Sequence, residues 1–230
     1  FAAKYELAQD LWAPLPENFP ANAWAYLLRP HGDSAKMKEL QKVLKKMRRQ
    51  DWPLAQNMVL GLIAAGQPLQ ARDVIDKGLV RLPAGHSGLL RALTFPAQSP
   101  QRAEALMTLL PAADDPQLLC AVVSFATNET IINLNDIEQQ LGERKKEGAV
   151  ALILAQAWLL QGAFSHSYEL LSSANTALLP ATWQGAYAST LALCALKTTP
   201  ARYREAALAL QKWRDLPSTT AEEKSLLQQQ

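Results

Sequence analysis

The sequence predicts an all-α fold, a solenoid of about five to six stacked helical hairpins, and three observations predict it. A helix-turn-helix unit recurs, running from Trp52 to Pro83 and returning in degraded form from Gly148 to Pro180. In the first copy the stretch AQNMVLGLIAA breaks at Gly66, restarts at Pro68 and Leu69, carries Ala71, Val74, Ile75 and Gly78 on one face, and stops at Pro83. In the second, LILAQAWLLQ breaks at Gly162, and Ser167, Leu170, Leu171 and Ala174 take the matching places before Pro180. Composition agrees, because Ala, Leu and Gln favour helix while β-branched residues are sparse and never alternate over the length of a strand. Finally, a unit of this kind cannot bury its apolar face alone and must stack on neighbours.

Local signals place each element. Short helices over residues 3–12 and 21–29 flank APLPENFP, whose prolines forbid a continuous helix, so residues 1–33 read as an irregular cap. Asp33 or Ser34 caps a helix over 35–50, where Met37, Leu40, Val43, Leu44 and Met47 recur at helical spacing. Asp51 opens the first clear unit, with Pro53 accommodated in its first turn. Beyond Pro83 a short helix from Leu89 to Leu93 is expected, capped by Ser87, and then a helix from Gln101 to Leu110 that buries Ala103, Leu106, Met107 and Leu110. After the turn cluster Pro111 to Pro116, helices over 117–126 and 134–146 pair through TNETIIN, so residues 84–147 hold two irregular repeats. A last pair, 180–197 and 200–216, follows the second clear copy and turns Ala206, Ala207, Leu210 and Trp213 inward. The repeat domain therefore spans 34–217, and 218–230 is a polar tail or a last helix that needs cover over Leu226 and Leu227.

Residues 52–83 resemble a tetratricopeptide repeat. The family's small, large and small positions, its turn glycine and its closing proline fall on Ala55, Val59, Leu62, Gly66, Ala71, Ile75, Gly78 and Pro83. Ala55 and Val59 depart from the pattern. The second copy places Ala155, Trp158, Gly162, Ser167, Leu171 and Ala174 in the same roles, with its proline one residue late. The resemblance covers these two copies and implies a right-handed superhelix whose concave face, lined by the first helix of each hairpin, binds peptides or helices of other proteins. Carried onto this sequence, it puts Pro53, Gln56, Leu60, Ile63 and Ala64, and then Ala149, Leu152, Gln156, Leu159 and Leu160, in the groove. The basic residues with which one subfamily clamps a terminal carboxylate are absent there, so an apolar helix or extended segment is the implied ligand. The competing reading is that some of these side chains pack against the next repeat.

The remaining features exclude more than they assign. A net charge of +2 is too small to make nucleic acid or acidic lipid the main partner. A basic patch, Lys38, Lys42, Lys45, Lys46 and Arg49, sits on the 35–50 helix without any aromatic platform for bases. It reads first as a solvated outer face, with an acidic protein patch as the alternative and lipid or nucleic acid behind that. ERKKE at 143–147 neutralises itself. Gly85-His86-Ser87-Gly88 lacks the glycine a nucleophile elbow needs, since Leu89 stands in its place. His31, His86 and His166 have no carboxylate or thiol at ligand spacing, and Asp114 and Asp115 fit a turn, so no catalytic residue, metal or cofactor is expected. Cys120 and Cys194 lie in apolar helical stretches and read as buried free thiols. The six tryptophans read as anchors of individual helix pairs.

The expected function is a non-catalytic interaction scaffold or adaptor whose partner is another protein, with Gln56, Leu60, Ile63, Leu152, Gln156 and Leu159 in the groove. A bacterial envelope, secretion or pilus assembly is its expected setting. A cytoplasmic chaperone of a secreted or membrane substrate and a regulatory domain of an enzyme or transcription activator are the alternatives. Because the chain begins at Phe1, a signal peptide, anchor or further domain ahead of it is allowed for, and membrane contact is expected only through such an anchor or the basic helix.

Overall fold

The computed structural model describes residues 56, 59–60, 62–63, 66–78 and 82–216. The cap, the basic helix with Lys38, Lys42, Lys45, Lys46 and Arg49, the groove positions Pro53 and Ala64, and the tail with Leu226 and Leu227 all lie outside them. Among the described residues the protein is all-helical, and its one β-type pairing is a parallel bridge between Glu147 and Asn175. The chain forms two compact units, Phe1–Ala105 and Leu106–Gln230.

In the first unit, Gln56, Val59, Leu60, Leu62 and Ile63 are helical, and Val59 and Leu62 are fully buried. The helix stops at Gly66 (φ 73°), whose N–H bonds the Ile63 carbonyl while the Gln67 N–H bonds that of Leu62. This is a Schellman motif, and the positive φ is why glycine stands there. α1 (Pro68–Asp76) follows with proline in its first turn and buries Ala71, Val74 and Ile75 against α2 (Ala84–Leu93). Two expectations shift. α1 ends at Asp76, so Gly78 (φ 60°) shapes the following turn instead of extending the buried face. α2 begins at Ala84, with Pro83 as its N-cap, because Gly85 and Gly88 are tolerated once Pro83 has set the first turn; Ser87 thus lies inside the helix and does not cap it. Arg72 ties the pair together, donating from Nε to Thr94 Oγ1 at 3.0 Å with its guanidinium 4.2 Å over the Phe95 ring. α3 (Pro100–Leu109) carries the unit boundary.

The second unit is a succession of helical hairpins. α4 (Pro116–Thr127) is capped by Asp115, which accepts the Leu118 N–H at 2.8 Å, and it packs against α5 (Leu134–Leu141), capped by Asn133. α5 is shorter than its periodicity suggests: Gly142 (φ 53°) ends it, and Gly142–Lys146 continues as a 3₁₀ segment. α6 (Gly148–Leu160) and α7 (Phe164–Ser173) then pack on each other, as do α8 (Ala181–Lys197) and α9 (Tyr203–Arg214). The first helices of these hairpins also touch, α4 with α6 and α6 with α8, while α7 lies against α8.

The turn between α6 and α7 repeats the first unit's geometry. Gly162 (φ 79°) bonds the Leu159 carbonyl and Ala163 that of Trp158, the same Schellman pattern as Gly66 and Gln67. Pro180 opens α8 just as Pro83 opens α2, so in both copies the proline begins the next hairpin instead of closing the last. α6 contains no charged residue and a single polar side chain, Gln156, the pattern of a helix covered on most sides. Val150, Ala151, Leu154 and Ala155 are buried, and a further core joins Leu152, Tyr168, Leu171, Tyr187, Ala192 and Cys194 across α6, α7 and α8.

The bridge at the base of this hairpin is close. Gly148 donates to the Asn175 carbonyl at 2.9 Å and Asn175 to that of Lys146 at 2.7 Å. A Cβ on Gly148 would lie 2.9 Å from the same Asn175 oxygen, closer than backbone permits. Gly148→Ala is therefore expected to cost about 1–3 kcal/mol, the range of an overpacked core. Gly162→Ala, which meets only the positive-φ penalty, is expected to cost about 1 kcal/mol. Urea denaturation of the two variants checks the order, and equal losses would mean that the bridge yields freely.

Candidate functional site

A groove of about 850 Å³ opens between α4, α6 and the start of α8. Pro116, Gln117, Cys120, Ala121 and Ser124 form its α4 wall, and Ala149, Leu152, Ile153 and Gln156 its floor on α6. Leu178 and Pro180 from the α7–α8 loop, with Thr182, Trp183 and Ala186 of α8, close the third side. The lining holds no Asp, Glu, Lys or Arg. It offers apolar surface with a few amide and hydroxyl groups, the chemistry of a site that binds by burial and orients through a small number of hydrogen bonds.

The groove takes in Leu152 and Gln156 of the expected set, together with Ala149. Leu159 lies outside it and, two turns beyond Leu152 on the same face of α6, packs against the core. Leu160 stands 87% exposed at the end of the helix. In the first unit Gln56, Leu60 and Ile63 are half-buried. The α4 and α8 walls are missed by sequence reasoning, since neither helix belongs to the two clear copies. Trp183 carried the one usable signal, a large ring just after the proline that opens a hairpin.

No family model matches this chain, and neither a curated protein nor a solved structure matches it.

Cys120 is the thiol of the groove lining. Burial pushes its thiol above the ordinary range, Glu147 and Asp115 push the same way, and Arg144 opposes them. It therefore stays a neutral thiol near pH 7, a small apolar contact instead of a nucleophile. Cys194 is fully buried and its thiol is pushed up to about 11. Both cysteines are free.

Away from the groove, a second cluster gathers residues that the sequence keeps apart. The Glu138 side chain on α5 is nearly enclosed, and its Oε1 accepts from Trp158 Nε1 of α6 at 2.5 Å and meets His166 Nε2 of α7 at 2.6 Å. Lys145 Nζ reaches its Oε2 at 3.1 Å, and the Trp158 and His166 rings meet edge to face at 4.9 Å. Glu169 stands three residues beyond His166 in the sequence, yet it is Glu138 that the fold brings to the ring. Among the described residues no group of three His, Cys, Asp or Glu side chains could hold a metal ion. The cluster is a joint, binding α5, the 3₁₀ segment, α6 and α7 through one carboxylate. No described helix is long and apolar enough to cross a membrane.

Burial pushes the Glu138 carboxyl up, but the hydrogen bonds from His166, Trp158 and Lys145 outweigh it and hold the group below its ordinary value. A depressed folded-state value means that the stabilisation is fully present above the unfolded carboxylate's pKa and is lost as pH falls through the folded one. Melting temperature is thus expected to be insensitive to this group from neutral pH down to about 5 and to drop below about 4.3, where an unperturbed glutamate titrates. In Glu138→Gln that acid-dependent part should vanish, at a cost near neutrality of about 1–3 kcal/mol from donors left without their carboxylate. Parallel pH–melting curves for the two proteins would refute the assignment.

Proposed function

We propose that the chain is a non-catalytic scaffold or adaptor, a right-handed α-solenoid of tetratricopeptide type that holds a segment of another protein along α4, α6 and α8. One observation carries this reading. α6 carries no charge and a single polar side chain, Gln156, and the side its neighbours leave open is the floor of an uncharged groove. Leaving such a face to water forgoes about 25 cal/mol for each Å² that a partner would cover. Support for the repeat architecture comes from the shared Schellman turns at Gly66 and Gly162 and from prolines that open the next helix in both copies. Helix contacts running from each hairpin to the next in the second unit agree with it.

The test is loss of partners on introducing charge at the groove surface. Ile153 is half-buried and Ala186 exposed, so Ile153→Glu and Ala186→Glu alter the lining without emptying the core. In affinity capture from the source cell with quantitative mass spectrometry, both variants are expected to lose most of the proteins held by the wild type, while Leu69→Glu, exposed on α1, keeps them. Circular dichroism melts establish that the variants fold. Captured sets unchanged by both groove variants would sink the proposal. Partner binding is also expected to slow alkylation of Cys120, which lines the groove, and to leave Cys194 unaffected.

A further inference from the structure

The described residues run to Leu216, and Leu216 itself lines a cleft of about 190 Å³ between α8 and α9. Gln184, Ala188 and Leu191 form its α8 wall, and Ala209, Lys212 and Leu216 its α9 wall. Each helix thus contributes one stripe, spaced at i, i+3 or i+4 and i+7. α8 and α9 pack on each other across a loop of residues 198–202, which makes them an antiparallel hairpin. The cleft therefore runs from Gln184 and Leu216 at one end to Leu191 and Ala209 at the other, back along the hairpin from the point where the chain leaves α9. Ala188 and Ala209 are buried in its floor and Leu191 is half-buried. Lys212 is the only charge in the lining. Among the described residues it has no carboxylate partner, since the ion pair at this end of α9 joins Arg214 to Asp215.

The sequence supplies a fitting occupant directly beyond this point. Pro217 cannot prolong α9. Thr219 followed by Glu222 has the spacing of a capping box, the signature of a new helix start. In a helix begun there, Glu223, Leu226, Leu227 and Gln230 share one face at i, i+3, i+4 and i+7, and the polar residues between them take the other. A helix shorter than about 12–15 residues is marginal in water by itself, so this one needs a surface that covers its two leucines.

We infer that residues 219–230 fold back as a short amphipathic helix into the α8–α9 cleft, setting Glu223 at Lys212 and Leu226 and Leu227 against Ala209 and Leu191. The register closes without adjustment. A return that brings Thr219 level with Leu216 places Glu223 about 6 Å further along, the same rise that separates Lys212 from Leu216. Leu226 then stands about 10 Å along, level with Ala209. Attachment decides between this segment and a foreign one, because so short a tether gives an effective concentration on the order of millimolar. The chain thereby covers its own last hairpin, whether or not the α4–α6–α8 groove holds a protein.

Amide hydrogen exchange of the full chain, read by mass spectrometry, tests this. Peptides from residues 222–230 are expected to exchange at least about tenfold more slowly than unstructured chain. Leu226→Ser with Leu227→Ser, or Leu191→Glu in the cleft wall, is expected to abolish that protection. Lys212→Glu is expected to reduce it about threefold, the effect of an exposed ion pair, and Glu223→Lys added to it to restore it. Lys212 is exposed, so its reversal leaves the hairpin folded, and unchanged protection of α6 separates release of the tail from unfolding. Tail amides exchanging at the unstructured rate in the wild type overturn the inference. So does protection that survives both Leu191→Glu and Lys212→Glu, because the tail then packs elsewhere. Protection that disappears on dilution to the monomer makes the occupant a second copy of this chain and overturns it too.

Discussion

The second unit depends on the insulation of α6. Thirteen residues without a charge can stay helical in water only if neighbours take up their apolar surface, and the rest of the unit can be understood as the means of doing so. α7 covers one side through Tyr168, Leu170 and Leu171, α4 and α8 flank two others, and the Glu138 cluster seals the polar end of Trp158. The residual opening is a consequence of geometry. Helices bearing Ala121, Ala149 and Ala186 toward the groove have too little side-chain volume there to close the gap between them. Small residues let backbones approach and at the same time leave a concavity.

The buried polar groups around this core are consistent with that role. Ser167 Oγ lies 3.0 Å from the carbonyls of both Ala155 and Ala163, which share its one hydrogen, so the small residue that lets α6 and α7 approach also fastens them. The Tyr187 hydroxyl reaches the Leu171 carbonyl, and burial pushes its phenol up to about 12, keeping it a donor throughout the range in which proteins function. Gly185 serves a comparable purpose between α8 and α9: a Cβ there would come within 2.9 Å of the Trp213 indole nitrogen, so the ring lies flush on the helix.

Part of this was legible in the sequence because some residues have only one structural use. Glycines at 66 and 162 announce positive φ, and the turns formed where they stand. Asp115, read as a turn residue, caps α4 by accepting the Leu118 N–H. Ambiguity entered where one residue type serves two ends of a helix. Gly85 and Gly88 look like breakers yet lie inside α2, and Pro83 and Pro180 look terminal yet initiate. Gly142 stops α5 within a stretch whose charged residues would have suited a longer helix. The candidate site was half visible for a different reason. Periodicity within α6 finds Leu152 and Gln156, but which of its sides meets α7 and which remains open is decided by helices that periodicity does not relate, so Leu159 stands outside the groove and Trp183, read only as a helix-pair anchor, also lines it. The Glu138–His166 pair, 28 residues apart, was out of reach of any local pattern.

The parallel bridge between Glu147 and Asn175 fixes where the chain arrives and departs. Lys146 and Gly148, at the start of α6, bond the residue that follows α7, so the strand of chain entering this hairpin and the one leaving it are neighbours. A unit closed at its own base is a cassette: copying it or deleting it in a gene leaves the severed ends already side by side.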